Sequence, residues 1–194
     1  MLILDQIKPK KKVIIEEAAI LIHEKGYVAM TMRDLANKVG IEAASLYNHI
    51  QSKEQILNFI CFKLADTYTE AMNHIQVSSD SISEKIEALI RLHVSINAKN
   101  ATLASVMNDE WRHLSEPELT RFLDLRREYE QKFLDIIESG ISNNEIKNTD
   151  PKIALYTILS SVRWLQHCYN QNRHVSIENI QNNIINLLMR GLIN

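Results

Sequence analysis

Glycine and proline are so scarce in this chain, four and three in 194 residues, that few sharp turns can be built and long stretches must run without interruption. Between these residues apolar side chains recur at threes and fours, and the alternation of a half-buried strand is absent. The reading is an all-α chain of about nine helices. A hydrophobic content of 45% is enough to bury a substantial core, and the length suits one or two domains.

Composition narrows the function classes. A net charge of −2 argues against a wholesale polyanion binder, so affinity for nucleic acid must come from a local patch. Cys61 and Cys168 are far apart and outside any Cys-x-x-Cys arrangement, which excludes a disulfide framework and a thiolate zinc pair and fits a reducing cytoplasm. The N-terminal stretch "MLILDQIKPKKK" places its apolar run before its basic cluster, the reverse of a secretory signal. The longest apolar stretches are too short to span a bilayer. Neither export nor membrane insertion is expected.

Ile14, Ala18, Leu21 and Ile22 give the buried stripe of a first helix that starts near Pro9 and is capped at Gly26. Thr31 opens a second, with Asp34 as its capping-box partner, and Gly40 stops it. A third short helix runs from about Glu42 to His49, and Ser52 caps a long fourth through Ile56, Leu57, Ile60, Leu64 and Tyr68. Further helices are expected from Ser81, over 101 to 114, from Pro117 to a cap at Gly140, over 151 to 170 and over 175 to 191.

Two short helices joined by a glycine-bearing turn, at residues 31 to 49, make a helix-turn-helix whose second helix lies in the major groove. Ala36 allows close crossing, and Leu46 packs back on the first helix. Ala43, Ala44 and Ser45 keep the reading end slim enough to approach base edges. Tyr47, Asn48, His49 and Lys53 are residue types that bond phosphate oxygens. Residues 1 to 54 hold eight Lys or Arg against seven Asp or Glu, and the rest fourteen against seventeen. That asymmetry is weak, but its clustered part, "KPKKK" at 8 to 12, would lie just ahead of the first helix, able to follow the DNA backbone or minor groove.

The stretch "IIEEAAILIHEKGYVAMTMRDLANKVGIEAASLYNHIQSKEQIL" resembles the N-terminal DNA-binding domain of the TetR family of bacterial repressors. The landmarks are Ala18, Ala19, Gly26, Thr31, Ala36, Gly40, Ser45, Leu46, Tyr47, His49 and Lys53-Glu54. His23 and Ile50 stand where phenylalanine is commoner, and Ala44 where glycine is frequent. The resemblance implies that Thr31, Tyr47 and Lys53 hold phosphates and that Ala43 to Ser45 with Asn48 face the bases; Arg33 joins the candidate contacts. It divides the chain into a DNA-binding domain, 1–57, and a helical effector-binding and dimerisation domain, 58–194.

The long remainder should therefore sense or dimerise. The apolar helix 151 to 170 and the Ile/Leu-striped helix 175 to 191 are the expected pair for a four-helix interface in a homodimer. That dimer would set two recognition helices ~34 to 36 Å apart on a palindromic operator. Large or polar residues on otherwise buried faces, His93, Trp111, Arg112, Tyr129, Phe133, Trp164, His167 and Cys168, with His113 beside them, are the candidate walls of a small-molecule pocket.

The segments "NDEWRHLSEP", "RREYEQKFLDIIESGI" and "SVRWLQHCYNQNRHVSIENIQNNIINLLMRGL" are similar to a TetR branch that answers acyl-CoA thioesters and represses fatty-acid, phenylacetate or sterol degradation genes. Trp164 here precedes His167, Cys168, Tyr169 and "NQNRH" rather than that branch's Trp-x-x-x-Trp-Tyr and Pro-Gly. The similarity implies an acyl-CoA effector, with Arg112, Arg126, Arg127 or Arg163 for its phosphates. No other cofactor, no metal and no catalytic residue is expected.

Rival readings rest on thinner signals. Glu110-Trp-Arg-His113 has the Glu-x-x-His spacing of a di-iron bundle, but no second copy exists to complete a cage. His167 and Cys168, adjacent on a helix, point ~100° apart and make no ready nucleophile pair. A protein-binding adaptor with a degenerate head would have lost its phosphate contacts, whereas Thr31, Tyr47 and Lys53 are all present.

Overall fold

The computed structural model describes residues 3–4, 7–168 and 175–193. Among the described residues ten α-helices follow one another: α1 (Pro9–Lys25), α2 (Met32–Val39), α3 (Ala43–Tyr47), α4 (Lys53–Val77), α5 (Ile82–Lys99), α6 (Ala101–Glu110), α7 (Glu118–Ser142), α8 (Pro151–Arg163), α9 (Leu165–Cys168) and α10 (Ile177–Leu192), with a 3-10 turn over Trp111–His113. Among the described residues there is no strand, only an isolated bridge between Ile146 and Ile193. None of their helices is long and apolar enough to cross a membrane.

The helices stand where the apolar spacing puts them, with four differences. The third is shorter than 42 to 49, so that Glu42 and Asn48 flank it as caps. The helix expected over 101 to 114 ends at Glu110 and passes into the 3-10 turn over Trp111–His113. The helix expected over 151 to 170 is divided at Trp164 into α8 and α9; Tyr169 and the stretch "NQNRH" lie outside the described residues. Gly140 is not a cap: α7 runs on to Ser142, and the left-handed residue of the turn is Asn144, at φ 59°.

Contacts group the chain into two compact units, Met1–Asp66 with Thr102–Leu123, and Thr67–Ala101 with Asp124–Asn194. The first unit groups the N-terminal helices with α6 from Thr102 onward, the 3-10 turn and the start of α7. Its core joins Ile14, Ile15, Ala18 and Ile22 of α1 to Leu35, Leu46 and Ile50, and to Ile56, Leu57 and Ile60 of α4, all essentially inaccessible. Burying each such side chain contributes about 1.5–3 kcal/mol.

In the second unit α5 packs against α8, α9 and α10. One cluster there holds Met72, Ile86, Leu89, Phe133, Leu155 and Ile184. Polar ties hold α10 to α5: Gln181 Nε2 donates to the Arg91 carbonyl at 3.0 Å and to Ser95 Oγ at 2.9 Å.

Gly140 serves close approach rather than turning. The amides of Glu145 and Ile146 both donate to its carbonyl, at 2.9 and 3.0 Å. A Cβ added there would lie 2.6 Å from Ile146 Cδ1 and 2.7 Å from Ile82 Cγ2. Gly140→Ala is thus expected to destabilise the chain by about 1–3 kcal/mol through overpacking. A urea midpoint equal to that of the wild type would show that the two isoleucines yield without cost.

Candidate nucleic-acid interface

The first helix of the reading module is fixed at its start by a three-residue knot. Thr31 Oγ1 accepts from the Asp34 amide at 3.1 Å while an Asp34 carboxylate oxygen accepts from the Thr31 amide at 3.0 Å, the reciprocal capping box that satisfies two otherwise orphaned donors. The same carboxylate receives Lys25 Nζ at 2.6 Å. The Lys25 bond first, then those from Thr31, hold the Asp34 carboxyl down at about 2, so it stays ionised as the anion that the helix N-terminus favours.

The turn after α2 is built on Gly40. Its φ of 72° and ψ of 37° lie in the left-handed region that glycine enters without steric penalty. The Ile41 amide reaches back to the Ala36 carbonyl at 3.0 Å and the Gly40 amide to the Asn37 carbonyl at 3.2 Å, closing the helix end as a Schellman-type turn does. From there α3 emerges with Leu46 buried, while Ala43, Ala44, Ser45, Tyr47, Asn48 and His49 are exposed. One face is spent on packing and every expected reading residue remains on the other.

Tyr47 and Lys53 divide into different roles. Tyr47 is half-exposed, at 50%, and can offer its hydroxyl outward. Lys53 turns inward: Nζ donates to the carbonyls of Tyr27, Val28 and Met30 at 2.9, 3.2 and 3.1 Å and lies 4.4 Å from the Tyr27 ring centroid. An ammonium has three donors, and all three are committed to the α1–α2 loop. In this conformation Lys53 contributes positive field at the surface, not a free donor.

Beside α3 lies an open groove of about 560 Å³, lined by Arg33, Ala36, Asn37, Gly40, Ile41, Glu42 and Ala43. Arg33, Asn37 and Glu42 are exposed. Asn37 and Glu42 are absent from the contacts expected from sequence. The signal for Glu42 was available: a helix N-cap prefers Ser, Thr, Asp or Asn, and a glutamate there makes no side-chain cap bond.

The candidate effector residues fall into separate groups. In the second unit His93 Nε2 and Tyr129 Oη are 2.8 Å apart, with the Tyr68 ring stacked on His93 at 4.7 Å. Burial holds His93 down at about 4 and pushes Tyr68 and Tyr129 up, so the cluster is uncharged near neutral pH. One turn along α5, Asn97 is 3% exposed. Its Nδ2 donates to the Val162 carbonyl at 3.3 Å while Oδ1 has no partner, a deficit that ordinarily costs about 1–3 kcal/mol.

Phe133 belongs to the second unit's apolar core, Cys168 is part-buried, and Trp164 and His167 are exposed. Trp111 and Arg112 belong to the first unit, where Trp111 stacks on Phe122 at 6.3 Å and the Arg112 guanidinium lies 4.8 Å from the Trp111 centroid. Among the other arginines, Arg126 pairs with Glu130 and Arg127 with Asp124 on the exposed side of α7, and Arg163 is exposed.

Comparison with known proteins decides what this arrangement is. Residues 14–59 match the family described as bacterial regulatory proteins, tetR family, and residues 79–192 match the tetracyclin repressor-like C-terminal domain. The chain belongs to the TetR family. It is 25% identical over 182 residues to the HTH-type transcriptional repressor KstR2 of Rhodococcus jostii, covering 92% of this chain and 89% of that one. The Mycobacterium tuberculosis KstR2 structure, a ketosteroid transcriptional regulator, superposes with a TM-score of 0.90 at 20% identity over 97% of each chain.

The fatty acid metabolism regulator protein of Bacillus subtilis is 24% identical over 191 residues, 97% of this chain and 98% of that one. AibR in complex with isovaleryl coenzyme A and operator DNA shares the fold at a TM-score of 0.76 and 21% identity, covering 92% of this chain and 97% of that one.

For this TetR-family chain the α2–turn–α3 surface is thus the DNA-binding element of a transcriptional regulator. Two constellations that suggest other chemistry have structural uses. Ser105 Oγ donates to Asp109 at 3.1 Å and lies 2.9 Å from His23 Nδ1. The serine stands between histidine and carboxylate, whereas nucleophile activation needs the histidine in the middle. Glu110 and His113 approach each other at 3.4 Å, and the His113 ring stacks on Tyr27 at 5.3 Å.

Tyr47→Phe is expected to weaken operator binding about fivefold on every sequence, the worth of one hydrogen bond to phosphate, with thermal stability unchanged. Lys53→Met is expected instead to destabilise the fold by about 1–3 kcal/mol as three carbonyls lose a charged donor. Urea unfolding and anisotropy titrations on both variants check the split. A stable Lys53→Met variant that has lost its DNA affinity would return Lys53 to direct phosphate contact.

Proposed function

We propose that the chain is a ligand-released repressor, acting as a homodimer on a palindromic operator, and that its effector is an acyl-CoA thioester. The observation that carries the effector reading is the neutral polar cluster inside the second unit. His93 and Asn97 are buried, Tyr129 packs against the apolar core, and the Asn97 side-chain oxygen Oδ1 lacks a donor. A few oriented polar groups in an apolar surround suit a largely hydrophobic ligand with amide or hydroxyl donors, and the pantetheine arm of an acyl-CoA has both. The bound isovaleryl coenzyme A of AibR and the lipid-related names of the other relatives support the same class. Within the second unit the CoA phosphates fall to Arg126, Arg127 or Arg163.

Support for the dimer comes from apolar side chains left uncovered on the last helices. Ile153 is 65% exposed, Tyr156 50%, Trp164 45% and Leu187 78%. Positions 153 and 156 share one side of α8 and Trp164 caps its end, which suits a four-helix interface of α8 and α10 with their copies. Release works by linkage: a ligand that favours a dimer with its heads off operator spacing lowers DNA affinity by the factor by which DNA lowers ligand affinity. The lever is α4, which begins at Lys53 beside the reading module and ends in the second unit.

The test is an anisotropy titration of full-length protein on an operator duplex enriched from its own genome, with free CoA, isovaleryl-CoA and longer acyl-CoAs. One acyl length is expected to weaken DNA binding between about 5- and 150-fold and free CoA to do little. DNA affinity and melting temperature indifferent to every thioester would overturn the acyl-CoA reading.

A further inference from the structure

Glu42 is costly where it stands. Duplex DNA carries one negative charge per ~1.7 Å of axis, and a carboxylate on the DNA-facing surface is repelled by it. A cap bond to the first amides does not account for it, because the Glu42 side chain makes none, and the five-residue α3 has little dipole to favour an anion at its start. Nor is its charge neutralised: among the described residues Glu42 has no ion pair, although Arg33 lines the same groove. The carboxylate is presented outward, at the edge of the surface that α3 brings to the duplex.

A base edge removes that cost only by offering a donor. In the major groove donors are confined to cytosine N4 and adenine N6. Adenine places the N7 acceptor next to its amino group, which opposes a second carboxylate oxygen, whereas cytosine has no acceptor beside N4. The cytosine's partner guanine presents O6 and N7, the acceptors that a guanidinium takes two at a time, and Arg33 shares the groove with Glu42.

Resting on the DNA-binding reading above, we infer that Glu42 is a specificity-determining residue that accepts a hydrogen bond from a cytosine amino group, with Arg33 on the guanine acceptors alongside. The groove between α2 and α3 then selects G·C pairs, while the small residues Ala43 and Ala44 leave room for the bases to approach.

The experiment is sequence selection from a randomised duplex pool with full-length wild type, Glu42→Ala and Glu42→Gln, each first shown to melt with the wild type. Glu42→Ala is expected to lose about tenfold of the preference for cytosine at one position of the enriched motif and its symmetry mate. The other positions should keep theirs. Glu42→Gln, which retains an acceptor oxygen, should lose less. Two variants that bind every duplex more tightly with the wild-type motif intact would overturn the assignment and leave Glu42 a repulsive surface charge. A wild type that enriches no sequence would instead bring down the DNA-binding reading, and this inference with it.

Discussion

The reading surface depends on the burial of Leu46. A helix of five residues such as α3 has no stability of its own, since nucleation consumes more conformational entropy than one turn of hydrogen bonds returns. It persists because Leu46 and Ile50, fully buried, fasten its inner side where α3 packs on α2, which in turn packs on α1. Its outer side is released from packing duty and can carry small and polar residues chosen for another molecule.

The elements around α3 remove its remaining freedom. The Gly40 turn sets the direction in which the chain leaves α2, and the Thr31–Asp34–Lys25 knot fixes where α2 begins. Lys53, with three carbonyls on one ammonium, ties the start of α4 to the loop that leads into α2. A family resemblance would assign this lysine to phosphate, and the structure shows it holding the frame. The second unit makes the opposite use of polar groups: His93 and Asn97 are buried and Tyr129 half-buried, and they bond to one another or to the backbone within an uncharged cluster rather than facing outward.

Most of the fold was legible in the sequence because its information is local. Pro9, Gly40, Ser81 and Asp150 mark ends, and apolar spacing marks faces. What was not legible depended on contacts distant in sequence. Gly140 reads as a helix cap until Ile82 and Ile146 are seen pressing on it. The helix over 151 to 170 has no proline or glycine to announce its division at Trp164. Trp111 and Arg112 look like pocket residues by type, but α6 and the turn after it are grouped with the DNA-binding head. At the site, the exposed face of α3 was readable from the position of Leu46 alone. Glu42 was overlooked because it reads as the first residue of the third helix, and only the structure shows it at the N-cap position with no cap bond.

The central claim, two α2–turn–α3 heads presented to one face of a duplex, is tested most directly by hydroxyl-radical footprinting of the full-length protein on its enriched operator. The expected result is two protected patches on the same face of the DNA, ~34 to 36 Å apart or a whole multiple of that. A single patch, or protection spread uniformly along the duplex, would contradict it.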